Sequence, residues 1–457
     1  MTSNGLHPAR TVLDNGVTVI AKANHTTPAV SLLIGVRAGA YADPPDREGT
    51  AALCARVLDR GTVTRPAEVI ADDLDGRGAS LSVVTGRHQM AISATCLSDD
   101  FGAVLGLAAD IARHPAFPDA EVTTRRADLI TSIRQDEDNP APMAVDAFAR
   151  ALYGSHPYAR KVRGSVTTVE SIRRQDLVRF YQKGFQPHFI TVVAVGDVAE
   201  EVAIAAIAKV FGDWSSFAKA TEDKSASVRG DKPFLSAEAL GAKVEGLSGP
   251  DAVLVPDAIA PTERRLVTVP MMNKAQADLA YGFAGIRRSH PEFPAFSVMN
   301  NALGQYAIGG RLGDRIRERQ GMAYYVFSSL DASLGAGPFT IRAGVSADNV
   351  ERAIASIDTE LAMVLESGFT AQEIDESKSY LVGSLPRQLE TNAAIASFLL
   401  NADFFDLGLD YDVRLPGLIQ SVTLEAANAA ARQLLDPSRA TIAVAGPWIK
   451  TATDLHR

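Results

Sequence analysis

One arrangement of helix and strand occurs twice in this chain. Residues 172–197 and 422–447 align without a gap at a constant offset of 250 residues. In each, an amphipathic helix leads to a proline, Pro187 or Pro437, and then to an alternating strand that ends at a glycine. Self-similarity at a fixed spacing indicates an internal duplication. We therefore predict two homologous domains built to one plan.

Hydrophobic periodicity predicts that plan. In each half the order is two strands, a helix, two more strands, several long helices and a closing strand. This order favours an α+β fold in which each domain is a mainly antiparallel sheet covered by helices. The predicted strands lie near residues 17–22, 29–38, 79–85, 88–96, 264–270, 275–285, 323–331 and 337–346. The predicted helices lie near residues 48–61, 99–113, 118–138, 142–152, 174–184, 349–366, 371–388, 392–405 and 423–435.

Length and composition place the boundary between the domains. A chain of 457 residues is too long for one ordinary core, which favours two domains of about 200 residues each. We predict an N-terminal domain over 8–214 and a C-terminal domain over 263–457. The segment 215–262 shows no period and is rich in Lys, Asp, Ser and Gly. Such composition indicates a mobile linker or a surface insertion, with a binding segment as the alternative.

Charge and hydropathy exclude two classes of partner. The net charge of −9 provides no basic surface for nucleic acid, and no run of about 18 apolar residues predicts a membrane span. The first 16 residues lack the pattern of an export signal, which favours the cytoplasm, or the periplasm if a signal has been removed. Cys54 and Cys96 lie in apolar contexts and are interpreted as buried thiols.

The stretch 13–62 closely resembles the opening of the pitrilysin/insulinase family of inverzincin peptidases, whose zinc motif is H-x-x-E-H. Alignment on its glycines places the two metal histidines at Ala52 and Arg56 and the general base at Ala55. Alanine supplies no ligand or carboxylate, and a guanidinium stays protonated and brings positive charge where a dication would lie. The resemblance therefore implies a degenerate site with no metal, no cofactor and no catalytic residue in this chain.

The third zinc ligand is also missing. In the family it is a glutamate about 76 residues further along, and Thr131 and Ser132 occupy that place here. Glu137 remains, but one carboxylate does not make a zinc site. The eight histidines include no pair at i,i+3 or i,i+4, so isolated ones such as His156 and His188 are interpreted as structural.

A second family segment is retained. Residues 309–329 resemble R-E-x-x-G-x-A-Y, in which an arginine and a tyrosine seven positions apart hold the substrate backbone at the metal; Arg317 and Tyr324 match them. A guanidinium and a phenol can both donate to a peptide carbonyl, and a donor aimed at a developing oxyanion favours the transition state. Two alternatives stay open: the basic run from Arg311 to Arg319 as a solvated helix face, and Tyr324 as an ordinary strand aromatic.

The resemblance implies one function and leaves others open. In two-chain family members, one chain carries H-x-x-E-H and zinc, and the other, a half-shell around a peptide chamber, carries the Arg/Tyr pair. This chain is similar to the second kind, a non-catalytic subunit of a heterodimer that binds peptides or unfolded segments, added as a strand to a sheet edge. The alternatives are a structural role, as in respiratory-complex core subunits, and a hydrolase with another centre, for which no local motif is present. Homodimer formation stays open.

Overall fold

The structure is a computed structural model that describes residues 5–215, 255–305 and 310–449. The strands are β1 Ala9–Val12, β2 Thr18–Ala23, β3 Ala29–Val36, β4 Ser80–Thr85, β5 Met90–Leu97, β6 Ile190–Gly196, β7 Arg265–Pro270, β8 Ala277–Ala284, β9 Ala323–Leu330, β10 Pro338–Val345 and β11 Thr441–Gly446. The α-helices are α1 Thr50–Val57, α2 Ala67–Gly76, α3 Phe101–Arg113, α4 Asp119–Glu137, α5 Pro140–Tyr153, α6 Val166–Ser171, α7 Arg174–Gly184, α8 Glu200–Phe211, α9 Phe293–Asn300, α10 Val350–Ser367, α11 Ala371–Gln388, α12 Asn392–Phe404, α13 Tyr411–Gln420 and α14 Leu424–Leu434.

These elements form two compact units, each assembled from three stretches of chain. Unit 1 takes its described residues from within 1–133, 161–243 and 386–413, and unit 2 from within 134–160, 244–385 and 414–457. Of the predicted linker over 215–262, residues 216–254 lie outside the described residues. The domain boundaries drawn from composition therefore stay a prediction.

The two sheets share one topology. In unit 1 the strand order is β1-β2-β6-β3-β5-β4, and in unit 2 it is β7-β11-β8-β10-β9. Strand β2 pairs parallel with β6, and β7 pairs parallel with β11, while the other pairs are antiparallel. Apart from β1, each strand of unit 1 has a counterpart in unit 2. The predicted α+β fold with two homologous parts is confirmed.

Helices cover both faces of the central strands of unit 1. Strand β6 is buried along its whole length, and seven of the eight residues of β3 are buried. Ile395, Leu399 and Leu400 of α12 pack against Leu33 and Val193 in one apolar cluster. A larger cluster on the same sheet includes residues of α1, α3 and α7. Because neither face of these strands is exposed to solvent, their sequences are almost continuously apolar.

Unit 2 receives a helix from the first half of the sequence. Helix α5 contacts β8 and β11, with Phe148 1% exposed. A Cβ at Gly282 would lie 2.0 Å from the carbonyl oxygen of Phe339 and 3.1 Å from the Phe148 ring, so this close approach requires glycine. Arg265 donates a hydrogen bond of 2.7 Å to the carbonyl oxygen of Ala151.

Several elements were not predicted. They are β1, α2, α6, α8, α9 and α13. Strand β1 has only four residues, and α13 contains Pro416, which interrupts the helical pattern in sequence. The helix predicted over 48–61 ends at Val57.

The two cysteines are free thiols, and Cys54 and Cys96 are 0% and 4% exposed. This confirms their interpretation as buried thiols. In the described part of the chain, no helix is both long and apolar enough to cross a membrane.

Candidate functional site

The degenerate motif lies on α1, whose start is fixed by a buried carboxylate. Gly49 precedes the helix with a φ of 96°, a left-handed conformation that glycine adopts without strain. Asp43 accepts hydrogen bonds from the backbone N–H groups of Gly49 at 2.7 Å and Ala51 at 2.8 Å. It therefore caps donors that lack partners within the helix. Burial raises the pKa of Asp43 to about 7, against the opposing effect of these donors.

The three motif positions have different environments. Ala52 and Ala55 are 6% and 4% exposed, and they present only methyl groups. Arg56 is half-buried at the end of the helix. Its Nη2 donates to the hydroxyl of Ser132 at 3.4 Å, a long hydrogen bond. The structure therefore brings together the predicted position of the second metal histidine and one of the two predicted positions of the third ligand.

The two candidate positions for the third ligand differ. The Ser132 hydroxyl donates to the carbonyl oxygen of Asp128 at 3.0 Å, and Thr131 donates to that of Ala127 at 3.0 Å. Thr131 is exposed, as is Glu137 at the last position of α4. Within unit 1, Ser132 is the position that faces the motif helix.

An open pocket of about 210 Å³ adjoins Arg56. Its charged lining comes from Arg56, Asp59, Arg60 and Arg125, and the edge strand β4 contributes residues 81–83. The Arg60 Nε lies 3.2 Å from an Asp59 oxygen, and Arg125 forms ion pairs with Glu121 and Asp128 at 3.2 and 3.0 Å. The charged lining therefore consists of three arginines and one aspartate, and two of the arginines have acidic neighbours.

Arg56 differs from the other two arginines. It has no carboxylate within 4 Å among the residues that the structure describes, and its guanidinium contacts the Ser132 hydroxyl. Burial lowers the pKa of its guanidinium, and the nearby charges of Arg163 and Arg125 lower it further, against Asp128. The donor set of Ala52, Ala55, Arg56 and Ser132 does not fit zinc, which binds thiolate, imidazole and carboxylate. Over the described ranges, no group of three or more His, Cys, Asp or Glu side chains could hold a metal ion.

The second predicted pair lies in unit 2, around the start of β9. Arg317 belongs to a π-helical segment, Gly313–Glu318, and Tyr324 is the second residue of β9. Gly321 lies between them with a φ of 61°, and its N–H donates to the Arg317 carbonyl at 3.0 Å. Tyr324 is 71% exposed. The Arg317 guanidinium lies 3.6 Å from the carboxylate of its neighbour Glu318.

The rest of the basic run does not form a uniform solvated face. Arg311 is paired with Glu373 at 2.8 Å and is 10% exposed on its side chain. Arg315 pairs with the buried Glu360 at 3.3 Å. Arg319 is 70% exposed and pairs with Asp314 at 2.8 Å. Arg311 and Arg315 thus form structural ion pairs with residues distant in sequence, whereas the acidic neighbour of Arg317 is adjacent in sequence.

Sequence reasoning did not single out Asp43, Arg60 or Arg125. A signal exists for Arg125, because it lies seven residues before Ser132 on α4, two helical turns along the same face. Asp43 gives no such signal, since a capping residue six positions before Gly49 is read only from the folded loop.

Two family models match the chain. The model described as Insulinase (Peptidase family M16) covers residues 18–166, and the one described as Peptidase M16 inactive domain covers residues 171–381. The chain belongs to the M16 peptidase family. The degenerate helix lies in the first match, and Arg317 and Tyr324 lie in the second.

Relatives and solved structures resemble this M16 chain over nearly its full length. It is 26% identical to the uncharacterized zinc protease YmxG of Bacillus subtilis, over 93% of this chain and 95% of that protein. It is 27% identical to an uncharacterized zinc protease of Mycobacterium tuberculosis, over 97% and 94%. A peptidase M16 inactive domain from Pseudomonas fluorescens shares the fold, with a TM-score of 0.83, 24% identity and coverage of 98% and 99%. A Helicobacter pylori protease gives a TM-score of 0.82 at 15% identity, with coverage of 96% and 99%.

Proposed function

We propose that this chain is the non-catalytic, peptide-binding subunit of a heterodimeric zinc metallopeptidase. Its partner would be a homologous chain with an intact H-x-x-E-H motif. The observation that carries this proposal is the contrast between two places in one chain. Ala52, Ala55 and Arg56 stand where metal chemistry requires ligands and a base, while Arg317 and Tyr324 are retained in the family register.

The geometry around β9 supports a role in holding peptide. Tyr324 is 71% exposed, so its phenol is accessible from solvent. Arg317 has a sequence neighbour, Glu318, as its acidic partner, so its guanidinium is not fixed in a buried network. Both side chains are therefore accessible to a ligand and able to donate hydrogen bonds to its carbonyl groups.

The edge of the sheet supplies a backbone template. Strand β9 pairs with β10 on one side and ends the sheet of unit 2 as described. An extended peptide could add to this edge through main-chain hydrogen bonds, which are independent of peptide sequence. Zinc on the partner would polarise a carbonyl and activate water. The role of this chain would be to bind and orient the peptide.

The test is reconstitution. We expect the purified chain alone to show no peptidase activity, and a mixture with a homologous chain that carries H-x-x-E-H, from the same genome, to hydrolyse an unstructured peptide. Arg317→Ala and Tyr324→Phe should lower kcat/KM of the mixture, while Arg319→Ala, a nearby exposed arginine, should not. Association with full activity in both variants would instead favour a structural role. Zinc-dependent hydrolysis by this chain alone would contradict the proposal.

A further inference from the structure

The pocket beside Arg56 contains arginine groups without matching acceptors. Arg56 contacts a neutral hydroxyl at 3.4 Å and no carboxylate in the described ranges. The Nε of Arg60 is buried and has no hydrogen-bond acceptor, because its 3.2 Å approach to Asp59 lacks hydrogen-bond geometry. Two guanidinium groups therefore have donors that no described protein atom satisfies.

These donors are accessible to an acceptor on a ligand, because Arg56 is half-buried and the Arg60 side chain is 42% exposed. A guanidinium has five N–H donors in a planar fork, and on Arg56 the Ser132 hydroxyl accepts from one nitrogen. Arg125 adds a third positive charge to the lining, although Glu121 and Asp128 already neutralise it. Asp59 also lines the pocket and pairs with Arg60, so Arg56 is the arginine of this lining that has no carboxylate within 4 Å among the described residues, and the ligand that matches it is an anion.

Size and position indicate which anion. The pocket has a volume of about 210 Å³ and opens beside residues 81–83 of β4. Strand β4 ends the sheet of unit 1, so its outer edge has backbone groups that pair with no described strand. A peptide extended along this edge would bring a side chain or its own terminus to Arg56. A planar carboxylate matches the guanidinium fork through two parallel hydrogen bonds.

We propose that this pocket binds a carboxylate of a peptide, with the guanidinium of Arg56 as its principal donor and Arg60 as the second. The carboxylate belongs either to a peptide C-terminus or to an Asp or Glu side chain. The inference rests on the proposed binding of peptides, and it does not depend on the partner chain. It gives the degenerate site a role in selecting acidic ligands.

The experiment measures binding to the full-length chain without a partner. Four dye-labelled peptides share one neutral, extended sequence and differ in one group: a free C-terminal carboxylate, a C-terminal amide, an amide with one internal Glu, and an amide with Gln at that place. We expect the acid in one of the two matched pairs to bind about tenfold more tightly than its neutral counterpart, the range of a charged hydrogen-bonded pair. The pair that responds identifies the source of the carboxylate.

Variants assign the effect to the pocket. Arg56→Gln should abolish the preference for acid, and Arg56→Lys should retain part of it, because lysine keeps the charge but lacks the fork. Arg179→Gln, at an exposed arginine of unit 1, should leave the preference unchanged. The comparison of acid and amide in the unmodified chain needs no variant, so it stands even if a variant fails to fold.

Three outcomes would overturn the inference. Equal affinity for the acidic and neutral peptides would rule out the carboxylate pocket but would not contradict the proposed peptide binding. An acid preference that survives Arg56→Gln in a folded variant would place the site elsewhere. Absence of binding by all four peptides would contradict both this inference and the peptide-binding part of the proposed function.

Discussion

Arg56 on α1 donates a hydrogen bond to Ser132 on α4 across 76 residues of sequence, at a distance of 3.4 Å. The alignment with the metallopeptidase motif predicts that these two positions carry metal ligands in zinc-binding relatives. Their contact here shows that the fold keeps both positions adjacent without ligands. The two helices are thus adjacent at the positions where the alignment predicts metal ligands, and neither Arg56 nor Ser132 is a zinc ligand by residue type.

The contact between Arg56 and Ser132 predicts that restoring ligands at these positions should create a zinc site. A variant with Ala52→His, Ala55→Glu, Arg56→His and Ser132→Glu should bind about one zinc per chain, because two imidazoles at i,i+4 and a facing carboxylate form a chelating set. The matched control replaces Ser132→Glu with Thr131→Glu. Since Thr131 is exposed and bonds to its own helix, the control should bind zinc at least tenfold more weakly. Titration with a zinc-sensitive dye measures both, and equal affinities would show that Ser132 is not the third position.

Adjacent tyrosines on β9 should separate function from stability. Tyr325 donates to Asp278, a carboxylate 3% exposed that also accepts from Gln276 at 3.2 Å. Tyr325→Phe removes a partner from this buried acid and should cost about 1–3 kcal/mol of unfolding free energy. Tyr324→Phe should change stability by less than about 0.5 kcal/mol, since Tyr324 is exposed. Urea unfolding gives both values, and a large loss in Tyr324→Phe would indicate a structural role for that phenol.

In the reconstituted peptidase, Tyr324→Phe should lower activity more than Tyr325→Phe does, although it should lower stability less. Arg317→Ala and Tyr324→Phe should each lower kcat/KM about 10- to 100-fold, because each removes a donor to the reacting peptide. Tyr325→Phe should retain activity at temperatures where the variant stays folded. Initial rates with a quenched fluorescent peptide measure this, and comparable losses in all three variants would point to a general disturbance of β9.

The packing of α5 in unit 2 can be tested by truncation of one ring. Phe148→Ala should lower the unfolding free energy by about 3–5 kcal/mol, because Phe148 is buried between α5 and β8 and the sheet cannot close the cavity. Arg150→Ala, on the exposed side of α5, should change it by less than about 0.5 kcal/mol. Thermal unfolding of the two variants provides the comparison. Similar small effects would mean that α5 does not contribute to this core.

Stability should also depend on pH through His88. Burial lowers the pKa of His88 to about 4, and Arg87 adds to the effect, while an unfolded histidine has a pKa of about 6.5. The unfolded chain therefore binds the proton more strongly, so this contribution to stability is full above about pH 6.5 and is lost as the pH falls towards 4. His88→Gln should lose less stability than the parent chain between pH 7 and 4.5. Urea unfolding curves of both proteins at each pH measure this difference. Identical losses of unfolding free energy would exclude His88 as the titrating group.

The sequence by itself determined the duplicated plan and most of the strands, and it predicted the positions at which the zinc ligands are missing. The 250-residue offset predicted the β6 and β11 strands of two matching sheets, because a short apolar run that follows a proline and ends at a glycine is a local signal. The alternation expected for these strands was not found, since both are buried along their whole length. Likewise, the chemical inability of Ala52, Ala55 and Arg56 to form a zinc site follows from residue type alone.

Only the tertiary structure decided which helix covers which sheet. Helix α5 precedes the second half of the chain in sequence but packs on β8 and β11 of unit 2, whereas α12 lies within the second half but packs on β3 and β6 of unit 1. An amphipathic helix specifies that it buries an apolar face, not the surface against which that face is buried. The pocket that joins Arg56 and Arg60 to Arg125 and to strand β4 could not be assembled from sequence for the same reason, since these three segments are brought together by packing over long sequence distances.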